Sequence, residues 1–170
     1  MSNIDEILAE NRRRNEALAV DYDPIAGVGC IGERCKVAKS TFNDADCYVP
    51  AAMTRDRRYV AVNSRDEWVK LRCEYDFEFW CATCVMIQDK LTGRDRRLVL
   101  NVPQRRVAAI LESDRVAQRP MRLIMLKARQ WGGSTLVQIY AAWMQCVHCQ
   151  NWHSLICAHV KDTAANIRGM

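Results

Sequence analysis

The chain has 170 residues, 49% of them hydrophobic and 26% charged, with a formal net charge of +5. That balance is ordinary for a globular domain and excludes a disordered tail or a collagen-like fibre. No apolar run reaches the ~18–20 residues that a bilayer span requires. The start, MSNIDEILAE, is acidic where a leader peptide would be basic and then apolar, so a cytoplasmic chain is expected.

Charge divides unevenly. Residues 1–85 hold 12 basic and 15 acidic side chains, whereas residues 86–170 hold 13 basic and 5 acidic. The second half therefore suits a polyanion, although a solvated basic helix face would read the same way. Nine cysteines cannot pair completely, and without a secretory signal they read as free thiols, mostly small core residues.

In chain order, a short helix starts after Ser2 or Asn3, with Ile4, Ile7, Leu8 and Asn11 on one face and Arg12–Arg14 near its end. Residues 21–64 are the least regular part, and residues 1–64 are expected to pack more loosely than the rest. The triplet Gly27-Val-Gly29-Cys-Ile-Gly32 follows no strand and opens no apolar helix, so it reads as a loop or hairpin. Residues 65–87 turn helical, with Ser64 and Glu67 spaced as a capping box. Residues 85–101 read as a hairpin around Gly93. Asn101 can cap the next helix, with Pro103 in its first turn.

The apolar run Met121–Leu126 has strand length, as does His153–His159, and an apolar helix from about Ser134 to Val147 separates them. Strand, helix, strand in this space predicts a βαβ unit with both strands parallel in one sheet. Between the first strand and the helix stands Lys127-Ala-Arg-Gln-Trp-Gly-Gly-Ser-Thr135. A glycine-containing loop before a helix can cradle phosphate, because the helix start offers unpaired N–H groups and partial positive charge. The usual lysine after the second glycine is replaced by Gly133, so the cation has to come from Lys127 or Arg129. The same residues would also serve as a plain glycine turn.

The run LKARQWGGSTLVQ resembles the deviant P-loop of the large terminase subunit of tailed bacteriophages, the ATPase that drives DNA into capsids. Arg129, Gln130, Gly132, Ser134 and Thr135 match its R-Q-x-G-[KG]-[ST]-T form, and Lys127 stands where the displaced cation belongs. Val102-Pro103-Gln104-Arg105 resembles the family's adenine-sensing Q motif, and Leu155–Ala164 the strand and helix start after the P-loop helix.

The resemblance implies an α/β chain: the first part of a P-loop NTPase fold with parallel strands, over residues 65–170, behind a mostly helical and irregular region at 1–64. It implies ATP with Mg²⁺ as cofactors. Gln104 would read adenine, Lys127 and Arg129 would supply charge, and Gln130 and Trp131 would line the loop. The N–H groups of residues 131–135 (Trp131, Gly132, Gly133, Ser134, Thr135) would face phosphate, and the Ser134 or Thr135 hydroxyl would face Mg²⁺. Implied partners are double-stranded viral DNA, a portal, a small terminase subunit and further copies in a ring, in the host-cell cytoplasm.

The acidic Walker B strand, coupling motif and nuclease domain of that family have no counterpart before Met170. The chain is therefore expected to be an N-terminal piece with doubtful hydrolysis of its own. Two alternatives share some of these residues. One is a helicase-like NTPase that binds nucleic acid. The other is a structural zinc protein built on Cys81-x-x-Cys84, Cys146-x-x-Cys149 and the nearby His148, His153 and His159.

Overall fold

The computed structural model describes residues 3–16, 21–89, 92–126, 131–149, 151, 155 and 157. Helix α1 covers Asn3–Glu16. Strands β1 (Arg34–Val37) and β2 (Cys47–Pro50) pair antiparallel, with Cys35 opposite Val49. Short helices α2 (Ala51–Thr54) and α3 (Arg57–Ala61) lead into α4 (Arg65–Tyr75) and α5 (Phe77–Cys84). A second antiparallel pair joins β3 (Met86–Gln88) to β4 (Asp95–Arg97). Helices α6 (Val102–Val116) and α7 (Gly133–Trp143) follow, and α7 widens into a π-helical turn at Met144–His148.

Several boundaries follow from local chemistry. The Ser64 hydroxyl accepts from the Glu67 amide and starts α4. Asn101 and Gln104 form a complete capping box on α6, with Pro103 in the first turn. Asp89 accepts from the Thr92 amide at the tip of the β3–β4 hairpin.

Helix α5 divides the core. Phe77 and Cys81 are one helical turn apart and share a face. They pack with Leu98, Leu100, Ala108, Leu111, Leu136, Tyr140 and Trp143. Phe79 points to the opposite side and joins Cys47, Val49, Met53, Trp68, Leu71 and Cys73. The looser packing expected for the N-terminal region does not hold over 21–64, where Val49 and Met53 are fully buried.

The α/β fold with parallel strands is not what forms. Among the described residues the chain is mostly helical, and its two small sheets are both antiparallel hairpins. Residues 121–126 form no strand, and Ile124 and Leu126 are fully exposed. Of 153–159, only Leu155 and Cys157 are described; both are exposed and outside any strand. An apolar run becomes a buried parallel strand only when a neighbouring strand pairs with its backbone and other elements cover its faces. No described segment supplies such a partner. No described helix is long and apolar enough to cross a membrane.

Candidate functional site

The first turn of α6 meets the glycine turn before α7. The Gln104 carboxamide donates from Nε2 to the Gly132 carbonyl at 3.1 Å. Its Oε1 accepts from the Asn101 amide at 3.0 Å. Asn101 in turn donates from Nδ2 to the Trp131 carbonyl at 3.1 Å. Gln104 is buried, and both ends of its amide are committed to backbone. It therefore shapes the glycine turn here and does not present a free edge to a base.

Gly132 has a φ of 82°, and a Cβ there would lie 2.6 Å from Gln104 Nε2. A Cβ on Gly133 would lie 2.6 Å from the Trp131 indole. Close neighbours crowd both positions, and at Gly132 the left-handed backbone favours glycine as well. Helices α3, α4, α5 and α6 each start with a side-chain cap, from Asp56, Ser64, Asp76 and Asn101. Helix α7 starts on Gly132 with no side-chain cap among the described residues. Ser134 is exposed and Thr135 half-buried, both in the first turn of α7. Lys127, Arg129 and Gln130 lie outside the described residues.

On the other side of α6 lies a buried ionic cluster that sequence reasoning missed. Asp76 accepts from Arg34 at 2.9 and 3.1 Å, from Arg72 at 3.3 Å and from the Phe79 amide at 3.2 Å. Glu78 accepts from the Ile31 amide at 2.6 Å and from Arg34 at 3.4 Å, and faces Arg105 Nε at 3.9 Å. Arg105 donates to the Gly29 carbonyl and stacks 3.9 Å over the Tyr22 ring. Arg72 lies 3.9 Å over Phe79 and donates to the Pro24 carbonyl. Burial pushes the Glu78 carboxyl above its ordinary range, against the opposing pull of the Ile31 amide and Arg34. The visible signal was the alternation Tyr75-Asp76-Phe77-Glu78-Phe79, two charges inside an aromatic run that read as core alone.

A cavity of about 550 Å³ opens beside this cluster, between Arg34, Tyr75, Phe77, Glu112 and Arg115. Gln104 and residues 131–135 do not line it. Charges at its wall are already matched, Arg55 with Glu33 and Arg115 with Glu112.

The nine cysteines are all free thiols, but only Cys47, Cys73 and Cys81 are buried, so the expectation of mostly buried thiols is corrected. Helix ends explain the difference: Cys81 faces the core from mid-α5, whereas Cys84 ends that helix and Cys146 lies on the outside of the π-helical turn. Within each C-x-x-C pair the two thiols differ in exposure. No group of three or more His, Cys, Asp or Glu side chains that could hold a metal occurs among the described residues. His153 and His159 lie outside them.

No protein-family model, curated protein or solved structure matches the chain.

Proposed function

We propose that the chain is the N-terminal, nucleotide-binding part of a DNA-packaging ATPase of the large-terminase type, with the polyphosphate at the start of α7. The observation that carries this reading is the uncapped α7 N-terminus at Gly132–Thr135, where N–H groups and the helix dipole favour an anion. It rests on that local turn and on the resemblance of the loop, and on no parallel sheet. Lys127 and Arg129, just upstream in the chain, supply the charge that Gly133 lacks. The exposed Ser134 hydroxyl and the Thr135 hydroxyl are the groups that would reach Mg²⁺ beside the phosphates. Gln104 acts by holding the glycine turn against α6. Exposed Arg94, Arg97 and Arg122 in the basic half fit contact with duplex DNA phosphates.

The test is calorimetric titration with ATP and Mg²⁺ of wild type, Ser134→Asp, Lys127→Ala and Arg129→Ala. A carboxylate at position 134 suits the helix dipole, so Ser134→Asp should stay folded yet repel phosphate. Loss of binding in Ser134→Asp is expected, with a weakening of about 1.5–3 kcal/mol in at least one cation variant. Absence of binding to wild type, or unchanged affinity in all three variants, overturns the proposal.

A further inference from the structure

We propose that Arg105 is a positioning residue for the α7 phosphate site, and that through it the loop Tyr22–Arg34 is coupled to occupancy of Gly133–Thr135; this rests on the nucleotide reading above. The geometry is two-sided. From the first turn of α6, Asn101 and Gln104 hold the carbonyls of Trp131 and Gly132. The next residue, Arg105, leaves the helix about 100° further round. It holds the Gly29 carbonyl, the Tyr22 ring and Glu78. One helical turn therefore clamps two segments more than 100 residues apart in sequence.

Arg105 is buried and faces Glu78 Oε1 at 3.9 Å inside the protein. Such a group resists displacement, because a shift breaks contacts without replacing them by water. A shift of the Gly132 carbonyl costs the Gln104 bond, and a shift of the first turn of α6 costs the contacts of Arg105. A ligand that fixes Gly132–Thr135 consequently favours the seated form of α6, and the seated form holds Gly29 and Ile31. By linkage, loosening the loop 22–34 weakens the ligand by the same factor. The Ile31 amide donates directly to Glu78, and the Val28 amide closes the Asp23–Val28 bridge, so both report on the loop. The Tyr59 amide donates to Asp56 at the start of α3 and serves as the control.

The experiment is amide hydrogen exchange on the full chain, with and without saturating Mg²⁺–ATP, in wild type, Arg105→Gln and Arg105→Lys. ATP should slow exchange at Val28 and Ile31 by about fivefold or more, the lower end of typical coupling, and leave Tyr59 unchanged. The lysine variant keeps the charge but loses the forked donor, and it covers the case in which Arg105→Gln does not fold. Either variant should bind ATP more weakly and show no slowing at Val28 and Ile31. If wild type binds ATP without that slowing, or the slowing persists in both variants, the coupling is overturned.

A companion pair separates this failure from failure of the nucleotide reading. Ser134→Asp places a fixed carboxylate at the α7 start without any ligand. If wild type does not bind ATP, yet Ser134→Asp slows Val28 and Ile31 and Ser134→Asp/Arg105→Lys does not, the coupling stands and the nucleotide reading falls. If wild type does not bind ATP and Ser134→Asp changes neither amide, both fall.

Discussion

The Gln104 carboxamide and the Gly132 carbonyl, 3.1 Å apart, make the start of α6 and the glycine turn a single unit. Gly132 also has the left-handed backbone that suits glycine, so two separate costs fall on any side chain there.

Gly132→Ala should therefore destabilise the protein by about 2–3 kcal/mol: about 1–2 from the left-handed backbone and the rest from collision with Gln104. Gly93 is the internal control. Its φ is 68° and a Cβ there would meet nothing within 4 Å, so Gly93→Ala should show the backbone cost alone. Denaturant unfolding of both variants checks this. Equal losses at the two glycines would remove the argument for a Gln104 contact.

The buried cluster should govern how stability depends on pH. Burial raises the Glu78 carboxyl from its ordinary 4.5. Below that value the group is protonated in both folded and unfolded chains. As pH rises through 4.5 the unfolded chain releases its proton first, so the folded state holds more protons and loses stability until Glu78 itself ionises. The stability of wild type minus that of Glu78→Gln should thus fall as pH rises above 4.5 and then level off. A difference that grows with pH would contradict the sign. Asp76 tests the same cluster without titration. Asp76→Ala leaves Arg34 and Arg72 short of a partner and uncaps α5, at a cost of about 3–5 kcal/mol.

What the sequence made legible was local. The caps at Ser64 and Asn101, the hairpin around Gly93 and the helix after the glycine pair all depend on residues within one or two turns of each other. Their hydrogen bonds close over short separations, so composition and spacing suffice. The meeting of Gln104 with Gly132, 28 positions on, had a cue only in the resemblance to a family. The Arg34–Asp76 and Arg105–Gly29 contacts span 42 and 76 positions and left no periodic trace. The parallel sheet failed for a related reason. Length and apolarity qualify Met121–Leu126 as a strand, but pairing is a property of a partner segment, and spacing alone does not supply one.

Thiol chemistry should sort the cysteines into classes. Cys84, Cys146 and Cys157 are exposed and should label within the first minutes in native buffer. Cys47, Cys73 and Cys81 are buried, and burial pushes all three thiols up, that of Cys73 to about 12. Both access and thiolate fraction are then low, so these three should react only on unfolding. Mass spectrometry after timed labelling gives the order. Early modification of Cys81 would contradict the core described around Phe77 and Trp143.

The exposed run after α6 provides the sharpest test of the architecture. Ile124 and Leu126 are fully exposed, and Leu123 is 39% exposed. In a buried parallel strand the same residues would be enclosed on both faces, and a lysine there would cost more than about 4 kcal/mol as an unpaired buried charge. With the chain as described, Ile124→Lys and Leu126→Lys remove no packing and should change stability by less than about 0.5 kcal/mol. Leu136 is the matched control: it is fully buried on α7 against Leu98 and Tyr140's cluster, and Leu136→Ala should cost about 2–5 kcal/mol. The lysine variants should also aggregate less on concentration, because contiguous exposed apolar side chains promote association. Chemical denaturation of the three variants beside wild type decides the matter. Losses at 124 and 126 as large as that at 136 would mean that this run is enclosed in solution and would overturn the exposed placement of residues 121–126.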